Sequence, residues 1–293
     1  MDLEHWLARA WDRHADDPVG VLAEVPAAAA SATTDGEIDR LLRLAHHIAG
    51  AHQGGPPELA AGRALLARLA ALPAAGPVAR ASASAYDHAL VLTGDEHHPL
   101  AALPGSEALR VQALVAANLA DREPARAGRL LTEAATAAEA GALPDTDPAV
   151  RALAVAGNNI AAALQELPAR DAASTALMLQ AAQLGLVFWR RAGTWLEEER
   201  AHHRLAVCAA AAGDAALARE HARACAAIVQ REGDVALEAF FAHEAAALAE
   251  AAAGDTAARA LAVARARAAF ERLAADDQAW CRETLLKLGP PLP

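Results

Sequence analysis

The chain has 293 residues, a formal net charge of −11, 55% hydrophobic content and only 3% aromatic content. A general nucleic-acid surface needs a clustered positive field, which this charge balance opposes. So few aromatics and so few alternating β-branched runs leave little material for sheet, whereas alanine, the strongest helix former, supplies most of the hydrophobic residues.

At 30.2 kDa the chain is long enough for one large helical array or two small domains, each with a sizeable core. Cys208, Cys225 and Cys281 are widely spaced and odd in number, so neither a disulfide framework nor a metal knuckle is implied. The start Met1-Asp2-Leu3-Glu4-His5-Trp6 is acidic where a secretory signal is basic, and no apolar run is expected to approach the ~18 residues of a membrane span. The expectation is a cytoplasmic protein with neither membrane nor nucleic acid as partner. Lys287 is the single lysine, and arginine, whose planar fork suits two-point carboxylate contacts, supplies every other side-chain cation.

In chain order, residues 2–14 place Leu3, Trp6, Leu7, Ala10 and Trp11 at helical spacing, a stripe that needs cover and a candidate cap for an array. An alanine-rich stretch running to Thr33-Thr34 and Asp35-Gly36 leads to Ile38, Leu41, Leu42, Ala45 and Ile48, a helix expected to end near Gly50. After Gly54-Gly55-Pro56-Pro57, residues Leu59, Leu65, Leu66 and Leu69 predict a helix stopped at Pro73, followed by another over 78–92 with Tyr86. Residues 93–105 hold Gly94, Pro99, Pro104 and Gly105 around Asp95-Glu96-His97-His98 and read as a hinge or a long loop. Residues 106–120 and 124–140 make a further pair, with Pro124 suited to a first helical turn. Asp147-Pro148 is a strong start signal, a capping carboxylate before a proline at the first helical position. Thr194-Trp195-Leu196-Glu197 has the form of a capping box.

The second half returns to the same side-chain sizes about every 41 residues. Val155, Leu196 and Leu237 form one column, and Leu164, Leu205 and Ala246 a second. Val187, Ile228 and Ala269, with Phe188, Val229 and Phe270, form two more, and Gly213-Asp214 matches Gly254-Asp255. A two-helix unit of that length cannot bury its apolar faces alone, so consecutive units must stack. Gly213, Ala218 and Ala222, echoed at Gly254 and Ala260, resemble the turn and second helix of tetratricopeptide (TPR) repeats. The resemblance spans about 149–273. It departs from the family in its longer period, in His202 and His243 at positions where the family often has tryptophan, and in lacking a closing proline. Armadillo or HEAT-type helical repeats stay open. The resemblance implies an all-α right-handed solenoid of antiparallel helix pairs, with degenerate hairpins over 1–146 and TPR-like repeats with a C-terminal capping helix over 147–293.

Several constellations could carry chemistry. His46-His47, His97-His98 and His202-His203 are adjacent pairs, but neighbours on a helix diverge by about 100°, so a pair alone does not converge on one metal. Glu199-Arg200-Ala201-His202 has the Glu-x-x-His spacing of di-iron bundles without a second copy. His221 and Cys225 lie four apart, yet Cys225 shares the apolar face of Ala218 and Ala222 and is expected in the core. No phosphate loop, nucleophile elbow or His-Glu-x-x-His motif is present. Trp189-Arg190-Arg191 with Trp195 is a candidate contact patch, with core packing the blander reading, and Arg259, Arg265, Arg267 and Arg272 read as a solvated face.

Aligning the units puts Asn159, Arg200 and Phe241 in one row, Ala162, His203 and Glu244 in a second, and Glu166, Val207 and Leu248 in a third. In proteins that resemble this one, first helices line the concave groove that holds an extended peptide, and asparagines such as Asn158 and Asn159 fasten its backbone, since an amide donates and accepts at once. The lysine-rich clamp for a terminal carboxylate has no counterpart here. The expected function is therefore a non-catalytic protein or peptide scaffold with a basic or mixed-charge partner, binding through Asn158, Asn159, Glu166, Arg200, His203, Phe241 and Glu244, with no cofactor and no metal. The alternatives are a small-molecule or signalling-peptide sensor hinged at 93–105, and a helical metal-dependent enzyme using Glu199, His202 and His243.

Overall fold

A computed structural model describes residues 2–98, 100, 103–233 and 235–289, and among them it contains fourteen α-helices and no strand. The chain divides into two compact units, Met1–Leu143 with Asp147–Ala152, and Pro144–Thr146 with Leu153–Pro293.

The first unit is built from α1 (Leu3–Arg13), α2 (Pro18–Ala29), α3 (Asp35–His47), α4 (Pro56–Ala70), α5 (Pro77–Gly94), α6 (Gly105–Leu119) and α7 (Pro124–Ala140), with a π-helical turn over Ile48–Gln53. The stripe of α1 is buried as its spacing requires: Leu3, Trp6, Leu7 and Ala10 join Ile38, Leu41, Leu66 and Leu90 in one core. The alanine-rich stretch before Thr33, given no element in the sequence reading, forms α2, started by Asp17 accepting from the Gly20 amide and by Pro18 in the first turn. Pro26 lies inside this helix, where it forfeits one backbone bond. Asp35 links α3 to α5 by accepting from the amides of Gly76, Val78 and Ala79 at 2.8–3.0 Å, and Thr34 and Glu37 close a capping box at the start of α3. The expected hinge at 93–105 includes Pro99, Ala101 and Ala102, which lie outside the described residues. Of its described part, Thr93 and Gly94 still belong to α5.

The α8 helix (Pro148–Glu166) opens as foreseen, with Asp147 accepting from the Ala149 amide at 2.8 Å. The second unit continues through α9 (Ala172–Ala192), α10 (Trp195–Ala211), α11 (Ala215–Arg231), α12 (Ala236–Ala252), α13 (Thr256–Glu271) and α14 (Ala275–Lys287). Thr194 and Glu197 form the expected capping box at α10. The matching turns are real. Gly213 and Gly254 both adopt left-handed φ values, 79° and 73°, and Asp214 and Asp255 each cap the next helix by accepting from the amide three residues on. Three of the four sequence columns keep one environment to within a burial class: Val155, Leu196 and Leu237 are all half-buried. Val187 breaks the third column, since it is exposed while Ile228 and Ala269 are buried.

Small side chains set how closely these helices approach. Ala206 and Ala209 of α10, Ala218 and Ala222 of α11, and Ala245 and Ala249 of α12 form a cluster of their own. At the α8–α9 crossing the two backbones meet at Gly157 and Gly185, and a Cβ on Gly157 would lie 2.6 Å from the Ala181 carbonyl oxygen and the Gly185 nitrogen. Gly157→Ala is therefore expected to destabilise the protein. Overpacking against backbone costs about 1–3 kcal/mol, more than the roughly 1 kcal/mol that alanine's helix propensity returns. Gly36→Ala, in a helix with nothing within 4 Å of the new methyl, is the control and should stabilise slightly. Urea denaturation of both variants checks the pair.

One helix needs a correction to the sequence reading. Among the described residues α9 is long and apolar enough to cross a membrane by length and composition alone. Leu177, Met178, Ala181, Ala182, Leu186 and Phe188 on it are buried in the unit. Of the C-terminal arginines, Arg265 and Arg272 are exposed as expected, but the other two are not simply solvated. Arg259 donates to the Leu288 carbonyl and Arg267 to that of Gly289, so they satisfy backbone oxygens at the end of α14.

Candidate functional site

Positions 41 residues apart come into contact on α10 and α12. The imidazole of His203 lies 3.0 Å from a carboxylate oxygen of Glu244, and its ring meets Phe241 edge-on at 5.4 Å. Phe241 in turn touches Trp280 of α14, a residue 65% exposed. Arg200 reaches from α10 to the buried Glu238 on α12 at 2.7 Å while leaving over half of its own side chain in solvent. So Arg200, His203, Phe241 and Glu244 share one face, stitched across two helices by an ion pair, an imidazole–carboxylate contact and aromatic edges. Asn158 and Asn159 bond each other at 3.4 Å on α8, with Asn159 and Glu166 exposed. α8 joins α10 through Gln165, which accepts from Arg204 at 3.2 Å. Lys287, bonded to Glu283 at 2.9 Å, lies within electrostatic reach of Glu166 and Glu244. Trp280 was missed in the sequence, because its place beside Phe241 depends on how α14 folds back on α12.

Beneath that face sits a buried acidic pair. Glu199 is fully buried and its Oε1 accepts from the Cys225 thiol at 2.7 Å. Burial first, reinforced by the neighbouring Glu238 carboxyl and opposed by the thiol bond and Arg200, pushes the Glu199 carboxyl up to about 8. Burial and the same two glutamates raise the Cys225 thiol well above its ordinary range, so it is a poor nucleophile. Cys208 is likewise raised by burial to about 11.

The Glu-x-x-His spacing therefore does not make a metal-binding pair. Glu199 is spent on Cys225, whereas His202 turns to His221, 2.8 Å away between Nδ1 atoms, and to Arg190 at 3.1 Å. Burial, His221 and Arg190 hold His202 down to about 4, in its neutral form. His221 and Cys225 diverge for the same reason.

Of the adjacent histidines His97 is exposed, whereas His46 and His202 are buried and His47, His98 and His203 half-buried. His46 is buried, stacks on Tyr86 at 4.6 Å and lies 3.3 Å from the Asn118 amide, while burial lowers it to about 3. His47 turns the other way. Among the described residues it converges with His14 and His52, a group of three metal-capable side chains that the sequence did not single out. His98 pairs with His88 at 3.1 Å and His97 stays exposed beside Asp95. Trp189 and Trp195 are half-buried rather than exposed, and Arg190 and Arg191 are paired with Glu198 and Asp145. A depression of about 230 Å³ at the α12–α13 turn is lined by Glu250, Ala251, Gly254, Asp255, Thr256 and Arg259, and is smaller than the usual small-molecule site.

Compared with protein-family models, with curated proteins and with solved structures, the chain matches none.

Proposed function

We propose that the chain is a non-catalytic, TPR-like helical scaffold whose α10–α12 face, with the amides of α8, holds an extended segment of a basic protein partner. The observation that carries this reading is the exposed Trp280 seated on Phe241 beside the His203–Glu244 pair. A large aromatic left in water next to fixed charges is the composition of a contact hot spot. Glu166, Glu244 and Glu283 act on Lys287 of the same helix as Trp280, and with a net charge of −11 the attraction favours a segment carrying Lys or Arg next to an apolar anchor. Asn158 and Asn159 supply groups that both donate and accept, which an extended backbone requires.

Fluorescence anisotropy against a synthetic peptide array graded from acidic to basic, with and without leucine or phenylalanine anchors, is the test. Basic anchored peptides should bind best. Trp280→Ala should weaken them about 30-fold, the loss of a hot spot of about 2 kcal/mol, and Glu244→Gln should act most on the basic ones. Affinity indifferent to both substitutions, or equal for acidic and basic peptides, refutes the reading.

A further inference from the structure

His14 closes α1, His47 is the last residue of α3 and His52 lies in the π-helical turn that follows. Their side chains meet through nitrogen. His47 Nε2 is 3.1 Å from His14 Nε2 and 3.1 Å from His52 Nε2, and all three candidate ligand atoms lie within 4.8 Å of one another. The turn creates this arrangement. Residues five apart on an α-helix point about 140° away from each other, whereas widening to i→i+5 bonding brings them to one side. That bonding is present: the Gly54 amide donates to the Ala49 carbonyl at 2.9 Å.

The wide turn is held from outside. Arg122 donates to the carbonyls of Ala51 and Gly50 at 2.6 and 2.7 Å, filling acceptors that an ordinary helix satisfies internally. Gly50 lies flat against the Asn118 side chain, where a Cβ would sit 2.4 Å from the amide nitrogen. A π turn is rare and concentrates at functional sites. Here its one evident product is the position of His52 beside His47.

The protons available to the three rings point the same way. The Trp11 carbonyl can only accept, so the 2.5 Å contact from His14 Nδ1 puts the proton of a neutral ring there and leaves His14 Nε2 a lone pair aimed at His47. His47 Nε2 can offer a single proton, and it faces two nitrogens. A cation that accepts from all three satisfies the cluster, and the His14–Trp11 contact is the kind of outer bond that fixes a ligating imidazole.

We propose that His14, His47 and His52 form a three-nitrogen binding site for Zn2+, a clip between α1 and the end of α3. Imidazole suits zinc and its borderline neighbours and excludes Mg2+ and Ca2+, which take oxygen ligands. Tetrahedral Zn–N bonds of 2.0–2.1 Å set nitrogens about 3.3–3.4 Å apart, close to the two 3.1 Å separations present. Three protein ligands leave one coordination position for water or for a group from outside. The Trp11 ring packs at 5.1 Å from His14 and 5.4 Å from His47, and forms an apolar wall on one side. Arg43 covers that ring, and Asp121 and Arg122 are the charged groups nearest His52.

The experiment uses the full-length untagged chain, stripped with chelator and titrated with ZnCl2, CoCl2 and MgCl2. Elemental analysis after gel filtration should find one zinc per chain, Tm should rise with zinc and not with magnesium, and Co2+ should give the visible bands of a four-coordinate site. His14→Ala and His52→Ala, at positions that are not in the core, should each weaken zinc by about 100-fold or more while keeping the helical circular dichroism. His88→Ala, which breaks the separate His88–His98 contact, should leave the stoichiometry at one. Zinc that is not retained, or zinc binding that survives both His14→Ala and His52→Ala, overturns the proposal.

Discussion

Replacing Phe240 by alanine is expected to cost about 3–5 kcal/mol and to lower the melting temperature of a unit this size by roughly 6–20 °C. Phe240 has no solvent exposure and sits between Phe241 at 5.2 Å and Phe270 at 6.0 Å, within a core that includes Cys225, Val229 and Val263. The cost of such a truncation is the transfer of the lost carbons plus the cavity left behind, and its size depends on whether neighbours can move in. Here they cannot easily do so. Much of the surrounding layer is alanine, Ala239, Ala242, Ala262, Ala266 and Ala269 among them, and short side chains have no reach with which to refill a phenyl-sized hole. Phe240→Leu should cost much less, because it keeps most of the volume. Denaturant unfolding of the two variants measures the difference, and equal, small effects from both would show that the core collapses after all.

Glu199→Gln is expected to flatten the dependence of stability on pH. In the folded chain this carboxyl titrates near 8 against an ordinary value of 4.5. Between those values the native protein holds a proton that the unfolded chain has already released, so raising the pH favours unfolding. The stability linked to this group is complete below about pH 4.5 and is lost as the pH rises through about 8. Glutamine keeps the shape and an acceptor for the Cys225 thiol but does not ionise. The variant should therefore match the wild type near pH 4.5 and exceed it above pH 8, by up to a few kcal/mol. The charged groups facing the site are Glu238 and Arg200, whose 2.7 Å pair the substitution leaves in place. Urea midpoints from pH 4.5 to 9 give the answer, and parallel curves for the two proteins would falsify the assignment of Glu199 as a buried acid.

Much of the helical plan was legible because it is written in local chemistry. Thr194 with Glu197, Asp147 before Pro148, and the left-handed glycines ahead of Asp214 and Asp255 act within a few residues of themselves. α2 was not foreseen, although Asp17 before Pro18 is a local start signal of the same kind, and Pro26 inside it is tolerated in the fold. The face on α10 and α12 was partly legible. A 41-residue repeat predicts that His203 should neighbour Glu244, and it does, but nothing local could reveal that Arg200 would be committed to Glu238 or that Trp280 would close the row. The histidine cluster was illegible for a definite reason. Its register depends on a widened turn held open by Arg122 from 71 and 72 residues away, so the spacing of five between His47 and His52 carries no meaning until the tertiary structure supplies it.

The alanine seam where α10, α11 and α12 meet has a consequence for sequence drift. Alanine is already the smallest residue that keeps a helix strong, so every replacement at Ala206, Ala209, Ala218, Ala222, Ala245 or Ala249 either wedges neighbouring helices apart or, with glycine, loosens one of them. Most protein interiors can trade a larger side chain on one helix for a smaller one opposite. This seam has nothing left to shrink, so its tolerated variants should be few and its spacing should persist while the exposed faces around it diverge.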